Sequence, residues 1–562
     1  MDKIRIGLIA TLVLITFVML VEFGKFREAR SRENANLRQA LHEQQLPPPG
    51  EEIPAAAVVA DQASLPDPDA LSLSNDLIVV ETDTLLVQID PQGGDIVSVA
   101  LKKHLARLDT PGSPFVLLEN SADRVYVAQS GLIGQNGTDT ATGRPHFSSK
   151  ERRYQLAEGA NEVVVDLFYQ DGQAAITKRF TFPRNDYLIG VDYLVRNNGS
   201  DEWRAAFYAQ IKRDGSQDPS AESGNVGVSP YLGFATITKE ERFHKIDFEA
   251  VQEGSFSNLH TGGWIAMVQH YFLSAWIPDS GQQHEFSTFR SRSGFYFARL
   301  KSPVVSVAPG QEAKISNSFY AGPKDQYRLE TIAQGLDLSV DYGMLWMVAQ
   351  PLYALLYFFN KGVIFGQNLF GGFHNWGFSI IALTILVKLA FFWLNQKAYH
   401  SMAKMRTIQP KMLELKNLYP DDRQKQSREM MALYQKEGVN PLGGCLPILV
   451  QMPVFIALYW VLLESVELRH APFIGYIKDL SAMDPYFILP LVMGASMWFQ
   501  QKLNPPPPDP MQAKVMEFLP IIFTFFFLFF PSGLVLYWVV NNILSIAQQW
   551  VITRQVEKAS KP

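Results

Sequence analysis

From residue 76 to about 322 the chain alternates apolar and polar side chains in short runs, among them LIVVETD, LLVQID, EVVVDLFYQ, AAITKRFTF, YLIGVDYLV and VVSVAPG. Val, Ile, Tyr, Phe and Thr at period two, punctuated by Gly-Gly, Asn-Gly and Pro, predict antiparallel strands. So many strands in one block predict a large β-sandwich, followed by a polar helix from Lys324 to Leu336. Beyond residue 340 the pattern changes to long apolar runs separated by short polar stretches. The runs at 377–394, 446–464, 485–503, 513–530 and 532–551 are each long enough to cross a bilayer as a helix. An apolar stretch from Ile6 to Val21 follows Lys3 and Arg5, and Glu22, Lys25 and Arg27 come directly after it. With no small-x-small cleavage site, it predicts an uncleaved anchor, hence six spans.

The segments between these elements complete the plan. Residues 28–75 are rich in Pro, Ala, Gln and charge and predict a tether with little to bury. The stretch Gly343–Phe359 is broken by Gln350 and Pro351. It carries Trp346, Tyr353 and Tyr357, which suit the headgroup level, so it is expected to lie flat on the interface. The stretch Lys397–Lys436 carries about nine Lys or Arg against about two in 465–484, which makes it cytoplasmic. Six spans then put the sandwich outside and both termini inside. The flanks of the anchor argue the other way, because Lys25, Arg27, Arg30 and Arg32 outnumber Lys3 and Arg5; long domains translocate despite such charges. The predicted units are an anchor (1–27), a linker (28–75), a sandwich with its C-terminal helix (76–342), an interfacial helix and connector (343–375), a five-span core (376–554) with a helical hairpin at 397–437, and a tail (555–562).

In the hairpin, Ala398–Leu418 and Arg423–Lys436 are joined by YPDD, with Gly438 as a helix stop. Met402, Met405, Ile408, Met412 and Leu415 form one apolar stripe, and Met430, Met431 and Tyr434 another. The stripes either pack on each other or offer a soft surface to varied apolar segments.

Within the run GFSIIALTILVKLAFFWL stands one charge, Lys388. An ammonium near the bilayer centre costs roughly 2.5–3.5 kcal/mol on insertion scales. Thr384 one turn earlier and Asn395 two turns later share its helical face. Gln451 lies in the 446–464 run, while Tyr537, Trp538, Asn541, Asn542, Ser545 and Gln548 cluster in the last. Polar groups in lipid must find partners or water, so these stripes together predict a shared hydrophilic interior. Singly, each has a plainer reading. Lys388 can snorkel, Thr384 can bond its own backbone, Gln451 can join two helices, and Tyr537 and Trp538 can be packing aromatics.

Composition narrows the function. The net charge of −5 over 562 residues argues against nucleic acid as a partner. The single cysteine, Cys445, excludes an intramolecular disulfide and every multi-cysteine metal site. There is no phosphate loop, H-E-x-x-H or G-x-S-x-G, no intramembrane carboxylate pair and no repeated half. Hence no cofactor, metal or catalytic residue is expected. Two rival readings stay open: a solute transporter with a sugar-binding outer domain, and a carbohydrate-processing enzyme, which needs paired carboxylates across a cleft.

The segments NPLGGCLPILVQMPVFIALY (Asn440–Tyr459) and FPSGLVLYWVVNN (Phe530–Asn542) resemble the signature regions of the YidC family of membrane-protein insertases. The order of elements is similar along essentially the whole chain. The resemblance implies the Gram-negative, multi-pass inner-membrane form with a periplasmic, supersandwich-like domain. It implies a chaperone and insertase for nascent membrane proteins, acting alone or with the Sec translocon and its accessory subunits, without nucleotide hydrolysis. The ribosome and the signal-recognition-particle receptor are further implied partners, besides the lipid bilayer. It also implies a groove open to cytoplasm and lipid, in which Lys388 matches a positive residue that is usually Arg. Thr384 matches a substrate-contacting Thr, and Trp538, preceded by Tyr537, matches an aromatic that is commonly Tyr. A lysine in place of arginine depends on the groove staying wet and gives up the two-pronged carboxylate pair.

Overall fold

The computed structural model describes residues 76–559 apart from 111, 142, 171, 221–229, 365–366, 421, 440–445 and 505–509. The expected anchor, the linker, the last residues of the tail and the start of the first signature, Cys445 included, lie outside these residues.

Apart from the short pair Val363–Ile364 and Gln367–Asn368, the described strands form two large sheets. In the ten-stranded one, Phe256–Thr261, Gln283–Arg290, Tyr296–Val307, Trp203–Arg213 and Val125–Ile133 lead to Pro114–Asn120, Asp95–Leu105, Leu85–Asp90, Ile78–Glu81 and Arg153–Gln155. In the nine-stranded one, His244–Asp247, Gly233–Thr236, Ile265–Val268 and Phe272–Pro278 lead to Glu312–Pro323, Leu188–Asn197, Ala174–Pro183, Glu162–Gln170 and Ser148–Ser149. Pairing is antiparallel as expected, except that Ile78–Glu81 and Arg153–Gln155 run parallel. The long connection between those two supplies the crossover that a parallel pair needs.

Period-two alternation sets what is buried. Ala174, Ile176, Lys178, Phe180 and Phe182 all face inward on one strand. They join Tyr193, Phe207, Trp276 and Phe319 in the core. The Lys178 ammonium is satisfied there by the carbonyls of Gly93 and Ser130, each at 3.0 Å. Burial pulls its pKa down to about 7.

The C-terminal region is helical: Trp346–Lys361, Trp376–Ala390, Phe392–Leu418, Arg423–Lys436, Leu446–Glu464, Ile488–Leu503, Pro510–Phe527 and Ser532–Ala559. Caps follow from sequence. Asn375 accepts from the Phe378 amide at 3.2 Å, and Asp422 of YPDD from the Lys425 amide at 2.9 Å. The core between the helices includes Leu356, Ile380, Leu383, Leu458, Val461, Met493, Leu534 and Val535.

Four expectations need correction. The 377–394 run is not one helix: it stops at Ala390, and the chain turns through 67° into Phe392–Leu418. The Gln548 amide reaches the Phe392 carbonyl at 3.2 Å at that corner. Asn395 therefore lies beyond the bend, off the straight stripe predicted through Thr384 and Lys388. Pro351 does not interrupt Trp346–Lys361: the helix runs through it with the loss of the bond to the Met347 carbonyl. Finally, the helix after the sandwich is short, Gln326–Ile332, and a 3-10 turn at Leu336–Ser339 follows it. Among the described residues, Ser532–Val556 alone is long and apolar enough to cross a membrane by itself, and the bent pair qualifies jointly.

A buried joint ties the sandwich to the helices. Lys324 pairs with Glu464 at 2.8 Å, their side chains only 2% and 4% exposed, and also donates to the Ser339 carbonyl at 3.1 Å. His270 Nε2 donates to the Leu463 carbonyl at 2.9 Å. Burial, aided by the Lys324 charge, pushes that imidazole down to about 3, so it stays neutral. Arg469 donates to the carbonyls of Leu105 and Ala106, at 2.9 and 3.1 Å, and lies over the Phe115 and Phe272 rings. Tyr353 donates to Glu467 at 2.7 Å.

Candidate functional site

Lys388 sits in the last turn of Trp376–Ala390 and is 7% exposed. Its ammonium donates to Ser545 Oγ at 2.5 Å and to Asn541 Oδ1 at 3.4 Å. Both acceptors lie on one face of the last helix, since i and i+4 coincide on a helix. Asn541 Nδ2 in turn donates to Gln451 Oε1 at 3.4 Å. Three helices, Trp376–Ala390, Leu446–Glu464 and Ser532–Ala559, thus meet through Lys388, Gln451 and Asn541. Among the described residues no carboxylate pairs with Lys388, and its protein acceptors are both neutral.

Thr384 is buried one turn before Lys388 and donates to the Ile380 carbonyl at 2.6 Å, its own helix backbone. Tyr537 is buried in the helical core. Trp538 meets Phe455 edge-on, with ring centres 4.7 Å apart, and lies tilted against Phe527 at 5.4 Å. Asn395 Oδ1 and Nδ2, Gln451 Nε2, Trp538 Nε1, Gln548 Oε1 and Gln549 Oε1 are buried with no protein partner among the described residues. A buried polar atom left unpaired costs about 1–3 kcal/mol.

Residues 77–355 match the family model for the YidC periplasmic domain, and residues 367–559 match that for the 60Kd inner membrane protein. A membrane protein insertase YidC from Cellvibrio japonicus (strain Ueda107) is 52% identical over 562 residues, covering 100% of this chain and 99% of the relative. One from Stutzerimonas stutzeri (strain A1501) is 52% identical over 511 residues, covering 91% and 89%. The chain belongs to the YidC family of membrane protein insertases. A solved structure of an active YidC insertase with its first transmembrane domain resolved matches at 19% identity and a TM-score of 0.37, covering 85% of this chain and 92% of that one.

In this YidC-family chain the hairpin methionines divide three ways. Met402 is buried with Tyr399 and Ile552 of the last helix. Met405, Met412 and Met430 pack with Ile408, Leu433, Tyr434 and Val439 inside the hairpin. Met431 is 53% exposed. The YidC-type core also uses groups that the sequence reading passed over. Ser496 accepts from Asn542 at 3.1 Å and Asn504 from Gln549 at 2.8 Å. The available signal for Ser496 was a hydroxyl in the middle of an apolar run. The Lys324–Glu464 joint had a fainter one, an acid closing an otherwise apolar span.

Proposed function

We propose that this chain inserts nascent inner-membrane proteins through a wet intramembrane groove whose wall carries Lys388, Thr384, Gln451, Tyr537, Trp538 and Asn541. One observation supports the reading above the rest. Lys388 is a buried ammonium among apolar helices, held among the described residues by two neutral acceptors, one of which is bonded to Gln451, whose Nε2 has no protein partner among those residues. A cation so placed attracts the acidic or polar tail of an incoming chain, and a hydrated wall lowers the cost of stripping water from that tail. Transfer of the substrate's apolar span into lipid drives the reaction at roughly 25 cal/mol per Å² removed from water. No nucleotide enters this scheme.

The reading includes an N-terminal anchor at 1–27, a periplasmic sandwich within 76–342, an interfacial helix at 343–375 and a five-span core over 376–554. Both termini are cytoplasmic. The hairpin at 397–437, with Met431 exposed, first meets the nascent chain, and the Sec translocon acts beside the protein on some substrates. In cells depleted of their own insertase, Lys388→Ala abolishes insertion of single-span substrates with acidic tails, and Lys388→Arg retains it. Normal insertion by Lys388→Ala sinks the groove-charge account. Cysteine labelling reaches positions 384, 451 and 538 from the cytoplasmic side alone; access from both faces favours solute transport instead.

A further inference from the structure

Ser545 is the closest partner of the groove cation, and its own bonds explain why a hydroxyl suits the position. It lies one turn beyond Asn541 on the last helix and donates its proton to the Asn541 carbonyl at 2.7 Å. With the proton used there, the oxygen lone pairs are left for other donors. The Lys388 ammonium takes one at 2.5 Å, and Asn541 Oδ1 adds a longer contact at 3.4 Å. The Tyr399 phenol, at the root of the hairpin, adjoins the same hydroxyl. Its ring is buried with Met402 and Ile552, so the cation's seat is built from the Lys388 helix, the hairpin and the last helix together.

An ammonium has three donors. Here two of them meet neutral oxygens, so the bonds are charge-assisted by the donor alone and lack the opposite charge that a carboxylate would bring. We propose that Ser545, assisted by Asn541, is the positioning residue that parks the Lys388 ammonium at the groove wall, at a strength that an incoming carboxylate can displace. This rests on the groove-charge reading given under Proposed function. Without the hydroxyl, the flexible four-carbon stem of lysine lets the charge swing away toward the interface. A merely structural serine, by contrast, affects every substrate alike.

The test uses the full-length protein in proteoliposomes. The substrates are a single-span protein with an acidic N-terminal tail and the same protein with that tail neutralised by Asp→Asn changes. Initial rates of tail translocation are read by protease protection. Ser545→Ala slows the acidic tail roughly tenfold and the neutral tail little, as expected for the loss of one bond to a charged group. Ser545→Thr restores the rate. The proposal is overturned by a wild-type rate in Ser545→Ala or by equal slowing of both tails. If Lys388→Ala alone leaves the acidic tail at full rate, the groove-charge reading itself fails; if Lys388→Ala is impaired and Ser545→Ala is not, only the role of Ser545 fails.

Discussion

Lys324→Met tests whether the sandwich is held to the helices by its buried ion pair. The Lys324 and Glu464 side chains are almost wholly enclosed at 2.8 Å, and the ammonium also donates to the Ser339 carbonyl. Removing the lysine leaves a carboxylate buried without its partner, which costs about 3–5 kcal/mol, whereas replacing both members by apolar residues of similar size is often neutral. The damage is expected locally, at the segment 463–470, which also carries Leu463, Glu467 and Arg469. Hydrogen–deuterium exchange in nanodiscs reads that segment directly. At about 1.4 kcal/mol per tenfold, its amides exchange roughly two to four orders of magnitude faster in Lys324→Met. The double variant Lys324→Met/Glu464→Met returns most of the way to wild type. Unchanged exchange in the single variant, or a double variant as open as the single, refutes the reasoning.

Three further outcomes are expected. Burial pushes the Glu467 carboxyl from 4.5 up to about 7 despite the Tyr353 phenol that donates to it. Between those values the folded chain keeps a proton that the unfolded chain has released, so stability falls as pH rises through that window and levels off above it. Glu467→Gln removes that slope and stabilises the protein at pH 8 by roughly 3 kcal/mol, checked by thermal midpoints from pH 5 to 8. A Cβ at Gly377 would overlap the Phe473 ring, so Gly377→Val costs about 1–3 kcal/mol, seen as earlier protease cleavage in 465–484. Met412→Ala, inside the hairpin cluster, loosens the hairpin by about 2–5 kcal/mol in amide exchange. Exposed Met431→Ala stays within about 0.5 kcal/mol, so any loss of substrate crosslinking there reports contact rather than folding.

Particular elements show what the sequence could reveal. Leu446–Glu464 has the bounds of its apolar run, and Arg423–Lys436 begins where Asp422 can cap it. Both signals are local, one of composition and one of a side chain bonding its own backbone. The strands were legible through alternation, but alternation does not say which partner a strand takes, so the parallel edge pair was invisible. The bend at Phe391 was hidden for a similar reason. The ten residues on either side of it include no Pro or Gly, and the group found at the corner, Gln548, lies far along the chain. Within the site, helical spacing grouped Asn541 with Ser545 correctly as one face. Their contacts with Lys388 and Gln451 depend on how three helices pack, which no single periodicity encodes. The same holds for Lys324 and Glu464, 140 residues apart in sequence.

The corner at Phe391 also has a mechanical meaning. The helix beyond it, Phe392–Leu418, has 27 residues and extends roughly 40 Å at 1.5 Å per residue. Because it leaves the Lys388 helix at 67°, a load on its far end acts mainly as a torque about the corner and only slightly as thrust along the upstream helix. The lever's fulcrum lies three residues from Lys388. Tyr399 and Met402 pin the root of this lever against Ile552, so a load on the hairpin tip bears on the last helix, which carries Asn541 and Ser545.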